Sequence, residues 1–249
     1  MAKMDSLKNE FARIAEGKSS PDSSSPESQA PSFDPERSRK LACGIDPLET
    51  TPKENFTWFN PSLHKSKLGR QQAEHLVHIF EHWSGGDSEL MKFLTLLGGV
   101  GIGKTDLAKT AVWRLTPEWH DKHSYYITAS DFDRRVKDFA SVKNQAGDVS
   151  VDPDEWVERL AATENLVIDD IGAGYIDKGW TQSRLERLID LRWRYKLPTV
   201  IISNLSQENL AAEIGARAFS RLQDKSMGVM LELTHLSDVR QVGVEERKG

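Results

Sequence analysis

The chain has 249 residues, 38% of them hydrophobic and 29% charged, with a formal net charge of −5, which fits one large domain, or one domain with an appendage, able to bury a real core. It contains no apolar run of about 18 residues that would cross a membrane. Asp5, Lys8 and Glu10 stand where a secretory signal would be apolar, so the chain reads as cytoplasmic.

The single cysteine, Cys43, excludes an internal disulfide and a cysteine-built zinc cluster. The acidic balance leaves any nucleic-acid contact to a local basic patch. In residues 1–17, Met4, Leu7, Phe11, Ile14 and Ala15 recur at helical spacing, so a short amphipathic helix is expected, marginal on its own. Residues 18–40 open on the run Ser19-Ser20-Pro21-Asp22-Ser23-Ser24-Ser25-Pro26, which has little to bury and reads as a flexible tether. A helix on a tether suits a docking peptide for a partner; a frayed end, or a helix packed on its own domain, fits the same pattern. The remaining residues, 41–249, form the folded domain. Its start, to residue 64, reads as irregular, anchored by Phe56, Trp58 and Phe59. A helix is expected from Gly69 to Trp83. There His75, His78 and His82 share a face, but without a carboxylate or thiol at ligand spacing they read as solvated or packed side chains.

Phe93-Leu94-Thr95-Leu96-Leu97 is an apolar strand, and Asp106-Leu107-Ala108-Lys109-Thr110-Ala111 is helix-like. The stretch between them, Gly98-Gly99-Val100-Gly101-Ile102-Gly103-Lys104-Thr105, fits G-x-x-x-x-G-K-[ST] in the strand, loop, helix context that the pattern requires. Its glycines let the backbone wrap phosphates with N–H groups pointing inward, and the helix adds its positive end. Residues Gly98 to Asp106 are therefore the expected nucleotide cradle. Lys104 would reach the β and γ phosphates, and Thr105 would hold Mg²⁺.

Beyond Pro117, Tyr125-Tyr126-Ile127-Thr128 reads as a second strand, and Ser130 as the cap of a helix from Asp131 to Phe139. The basic residues Arg134, Arg135 and Lys137 on that helix, with Lys143 after it, could face DNA phosphates; with Asp131, Asp133 and Asp138 among them, an ordinary solvated face is the competing reading. Asp152-Pro153-Asp154-Glu155 is a helix start. Leu166-Val167-Ile168-Asp169-Asp170 is a strand buried on both faces that ends in two carboxylates, 65 residues after Lys104. Asp169 would assist Mg²⁺, directly or through water, and Asp170 would orient or deprotonate an attacking water. A helix from Thr181 to Tyr195 leads to a strand, Thr199 to Asn204. Asn204 reads either as a holder of that water and sensor of the γ-phosphate or as a turn former. Arg217 and Arg221, four apart on a helix face, read as guanidinium groups for a transferring phosphoryl, in cis or from a neighbour, or else as surface ion pairs. Gly228 to Leu233 is a fifth strand, and the sixteen residues after it are too few for a sizeable further helical domain.

Taken in order, these landmarks resemble the DnaC/DnaI/IstB-like branch of the AAA+ ATPases, the replicative helicase loaders and related transposition helpers. The resemblance spans Cys43 to about Arg240. Ala42-Cys43-Gly44-Ile45 with Glu54-Asn55-Phe56 is similar to the branch's leading segment. Gly98 to Thr105 is similar to its Walker A, Leu166 to Gly172 to its Walker B, and Leu197 to Leu205 to its sensor 1. Ile214-Gly215-Ala216-Arg217-Ala218-Phe219-Ser220-Arg221-Leu222 is similar to its arginine-finger box. The resemblance implies an α/β fold: an ASCE P-loop three-layer sandwich with a five-stranded parallel sheet, no sizeable C-terminal lid and a partly disordered N-terminal extension. It also implies ATP and Mg²⁺ as cofactors and a nucleotide-dependent ring or spiral of copies. Arg221 matches the finger that enters the neighbour's site, and Arg217 a second arginine of the box. The partner implied is a replicative hexameric helicase together with single-stranded DNA, or else, for a transposition helper, a transposase and duplex DNA. A nucleotide-gated adaptor with negligible turnover is the third reading. Three departures stand out. Gly99-Val100 replaces the usual loop residues, Asp170 stands where a Glu is usual, and the N-terminus has no Cys-rich zinc module.

Overall fold

The computed structural model describes residues 34–85, 91–116, 124–142, 152–172, 174, 177 and 179–240. The expected docking helix of residues 1–17 and Lys143 lie outside them. Five strands, β1 (Phe93–Leu97), β2 (Ser124–Thr128), β3 (Asn165–Ile171), β4 (Thr199–Ser203) and β5 (Gly228–Glu232), form one sheet in the order β2-β3-β4-β1-β5. Every pairing is parallel, so each strand needs a crossover to reach the next. The crossovers supply most of the helices: α3 (Lys104–Leu115), α4 (Ala129–Val142), α5 (Pro153–Ala161), α6 (Trp180–Arg194), α7 (Gln207–Ile214) and α8 (Ala216–Leu222). Before β1 come α1 (Pro35–Ala42) and α2 (Lys67–Ser84).

The central strands are apolar on both faces because both are covered. Leu94, Leu96, Val167, Val200 and Ile202 face one core, shared with Phe80 and Trp83 of α2 and Leu107 and Ala111 of α3. The alternate residues Phe93, Leu97, Leu166, Ile168 and Ile201 face the other, shared with Phe132 of α4, Trp156 of α5, Leu188 of α6 and Ala218 of α8. The result is the expected three-layer sandwich with a five-stranded parallel sheet.

Two local readings are corrected. Of the tether expected over residues 18–40, residues 18–33 lie outside the described residues, and from Pro35 the chain is α1. Asp34 caps that helix by accepting from the N–H of Arg37, and Pro35 stands in its first turn. Arg39 then donates to the carbonyls of Trp113 and Thr116 at 2.6 Å each, with its guanidinium 3.6 Å from the centre of the Trp113 ring. A charged segment is thereby anchored through the end of α3 and not through an apolar face of its own, which hid it from a hydrophobicity reading. In α4 the capping side chain is Thr128, not Ser130. Its hydroxyl accepts the N–H of Asp131 at 3.0 Å and donates to that residue's carboxylate at 2.9 Å.

Arg192 of α6 is fully buried. Its guanidinium donates to the carbonyls of Ala161, Thr163, Glu164 and Pro198 and to the Thr199 hydroxyl, tying the end of α5 to the starts of β3 and β4. Burial pushes its pKa down to about 9, so it is still charged at neutral pH. Arg192→Leu strands those acceptors and is expected to lower stability by about 3–5 kcal/mol, read as a fall in the urea midpoint with an unchanged slope.

Candidate nucleotide site at the carboxyl ends of the central strands

β1 ends at Leu97, in register with Ser203 at the end of β4. The chain then turns through Gly98–Gly103 and enters α3 at Lys104. Gly101 and Gly103 have φ of +75° and +89°, a region that side chains disfavour. A Cβ at Gly103 would also come within 2.6 Å of the Phe59 ring. Ile102 is buried and fixes the loop to the core, whereas Gly99 and Val100 form its exposed tip. Gly103 is the N-cap of α3, and no side chain caps that helix. The first-turn N–H groups are thus left for an anion.

Lys104 is only 5% exposed. Its Nζ donates to the carbonyls of Gly98 (2.8 Å) and Gly99 (2.7 Å) and to Asn204 Oδ1 (2.9 Å). Asn204, just past β4, donates through Nδ2 to Asp170 Oδ1 at 3.2 Å. Burial lowers the lysine's pKa, and the charges of Asp169 and Asp170 pull it back.

The two acids depend on an irregularity in β3. Ile168 pairs with Ile201, but the next partners are Ile171 and Ser203, so three steps on β3 oppose two on β4. The extra residue is a bulge, and Asp170 within it takes φ +60°. In a regular strand adjacent side chains would point to opposite faces; here the charges of Asp169 and Asp170 both act on Lys104. Asp169 is 1% exposed. Its Oδ2 accepts the hydroxyl of Tyr126 at 2.9 Å and its Oδ1 accepts the N–H of Asp170 at 2.6 Å. Burial raises the pKa of Asp169 against those bonds. Burial, reinforced by the charge of Asp169, raises that of Tyr126, so the phenol stays a proton donor.

ATP and Mg²⁺ fit these residues. The cradle is glycine-walled and backed by an uncapped helix start. Among the described residues the Lys104 ammonium hydrogen-bonds only to neutral oxygens. Thr105 and Asp169 are hard oxygen donors of the kind Mg²⁺ requires. Beside Asp106, which is exposed, a groove of about 460 Å³ is lined by Glu49, Thr51, Trp58, Lys109 and Thr110.

The other candidates lie apart from this cluster. Arg217 and Arg221 of α8 donate to Asp190 of α6, at 3.1 and 3.2 Å; among the described residues neither pairs with Asp169 or Asp170. On α4, Arg134 pairs with Asp131 at 2.8 Å and Lys137 with Asp133 at 2.6 Å. Burial raises the pKa of the partly buried Tyr125, and the charge of Arg135 lowers it.

Three further features emerge only in the structure. Tyr126 was legible only as a strand residue, although a phenol in a strand beside the acidic pair was a usable signal. Asp190 sits inside the apolar run Leu188-Ile189-Asp190-Leu191, which masks it. The segment after β5 folds back over the phosphate loop. The N–H of Val239 donates to Gly101 O at 3.0 Å and that of Ser237 to His64 Nδ1 at 3.1 Å, and a side chain at Gly101 would run into Asp238 and Arg240. No local pattern announces that return.

The sheet order and the glycine turn from β1 into α3 define a P-loop-type parallel α/β fold. No family model and no curated relative matches the chain. Solved structures do. The DnaC helicase loader is similar with a TM-score of 0.55 at 18% identity, over 74% of this chain and 97% of that one. DnaI is similar with a TM-score of 0.50 at 19% identity, over 69% and 87%. AMPPCP-bound DnaA from Aquifex aeolicus is similar with a TM-score of 0.54 at 18% identity, over 76% of this chain and 55% of that one. The chain has the AAA+ fold of these replication proteins.

Proposed function

We propose that the chain is an ATP-hydrolysing DNA-replication protein, a loader for a replicative hexameric helicase. The observation that carries the reading is the linked set Lys104, Asn204 and Asp170, closed around the glycine loop where β1, β3 and β4 end. In this reading the loop's N–H groups and Lys104 bind the phosphates, and the groove beside Asp106 takes the nucleoside. Thr105 and Asp169 hold Mg²⁺, which when bound neutralises phosphate charge. Tyr126 keeps the Asp169 carboxylate aimed by donating to its far oxygen. Asp170 orients the attacking water and accepts its proton as the new bond forms to the γ-phosphorus and the bond to the ADP oxygen breaks. Asn204 positions that water and signals the γ-phosphate by exchanging Lys104 for it. Asp170 is one methylene shorter than Glu, so turnover is slow. Arg221, with Arg217 beside it, completes the site of a neighbouring copy in a nucleotide-dependent oligomer.

The loader assignment is supported by the similarity to DnaC and DnaI over nearly their whole solved chains. The N-terminal segment is the docking element for the helicase. Single-stranded DNA is held weakly at Arg134, Arg135 and Lys137, because Asp131 and Asp133 already engage two of the three. The test is capture of a purified replicative helicase by the intact chain with a non-hydrolysable ATP analogue. Capture that is lost on deleting residues 1–17 supports the reading. Capture that survives the deletion contradicts the docking role, and no capture by the intact chain contradicts the loader.

A further inference from the structure

Asp190 is nearly buried, its side chain 9% exposed, and it carries three arginines. Its Oδ2 accepts from Arg194 Nη2 at 2.6 Å and from Arg217 Nη2 at 3.1 Å, and its Oδ1 accepts from Arg221 Nε at 3.2 Å. One carboxylate therefore faces three guanidinium groups and leaves a local surplus of positive charge. Burying a carboxylate costs free energy unless it is paired and hydrogen-bonded, and here the pairs are the two arginines of α8 and one of its own helix.

The geometry at Arg221 is the informative part. Asp190 takes its inner Nε edge. The flat face of the guanidinium lies 3.9 Å from the centre of the Trp193 ring, and Trp193 is itself fixed by donating through Nε1 to Asp224 at 3.0 Å. Among the described residues no acceptor engages the Nη atoms of Arg221, whose side chain is 29% exposed. A guanidinium gripped by its edge and one face keeps its terminal fork for an outside anion, and that fork matches phosphate geometry. Arg217, 61% exposed, gives a single Nη2 to the same carboxylate.

We infer that Asp190 is a positioning residue. With Trp193 behind it, it holds Arg221 and Arg217 of one copy in the posture in which they meet the terminal phosphate bound by the next copy. The inference rests on the proposed action of Arg221 across a subunit interface. Among the described residues Asp190 pairs with Arg194, Arg217 and Arg221 and not with Lys104 or Asn204 of its own chain.

The test compares Asp190→Asn, Trp193→Leu and Arg221→Ala for ATP turnover at assembling concentration, for nucleotide affinity, and after mixing with Asp170→Ala copies. Asp190→Asn is expected to bind nucleotide as tightly as wild type and to turn over about tenfold more slowly or worse, since misplacing a reacting group by an ångström costs up to about a hundredfold. Mixing restores turnover, because Asp170→Ala copies offer an intact arginine to a competent site. Trp193→Leu falls less and is rescued the same way. A purely structural role predicts weakened nucleotide binding and no rescue, and a restraining latch predicts faster turnover; either overturns the inference. Slow Arg221→Ala beside normal Asp190→Asn overturns the inference alone. Normal Arg221→Ala overturns it together with the reading on which it rests.

Discussion

Lys104→Ala is expected to weaken ATP binding by about 2–5 kcal/mol, a loss of about 30-fold or more, while leaving the nucleotide-free fold intact. The two effects have one cause. The ammonium is 5% exposed, and its partners are two loop carbonyls and an amide oxygen. Burial already lowers its pKa, so without phosphate the charged form is held at a cost. A phosphate supplies the missing counter-charge. The sign of the pH dependence follows. With a folded pKa below the ordinary lysine value, the folded state sheds this proton before the unfolded state does. Stability therefore rises as pH climbs through the folded value toward about 10.5. Alanine removes that rise along with the affinity. Calorimetric titration with an ATP analogue and denaturant melts across that pH window measure both; unchanged affinity in the variant would refute the site.

Arg221→Ala should leave nucleotide affinity near the wild-type value and reduce turnover of the assembled protein by about 10³-fold or more, the range of a guanidinium that neutralises charge on a transferring phosphoryl. The residue is far better placed for that work than a free surface arginine. Its edge and one face are held by Asp190 and Trp193, so little ordering remains when an anion arrives. Single-turnover and steady-state assays, with affinity measured separately, divide the loss between binding and chemistry.

The parts of the fold that local patterning controls were legible. Leu166-Val167-Ile168 reads as a two-sided buried strand because its apolar residues run without alternation, and it pairs with strands on both sides. Asp152-Pro153 reads as a helix start because capping chemistry acts over three residues, and Asp152 does accept the N–H of Asp154. The glycine loop was legible because a sharp turn into a helix needs glycine where φ is positive. Contacts made across long sequence separations were not. Tyr126 reaches Asp169 across 43 residues, and Arg217 reaches Asp190 across 27; nothing within either local segment encodes its partner. The bulge that turns Asp169 and Asp170 toward one site was invisible for a different reason. Two adjacent acids after an apolar strand announce a site, but only the register with β4 shows how both reach it. α1 was lost because it is held by hydrogen bonds and an aromatic ring at the end of α3 in place of an apolar stripe.

If ATP is hydrolysed at a site shared between copies of the chain, two inactive variants should complement each other. Mixing Arg221→Ala copies, which keep Asp170, with Asp170→Ala copies, which keep Arg221, tests it in one titration. Each variant alone is expected to be nearly inactive, and the mixture to recover turnover with a maximum near equal proportions, where interfaces joining an intact acid to an intact arginine are most frequent. Turnover that stays at the level of the separate variants at every ratio would contradict a shared site.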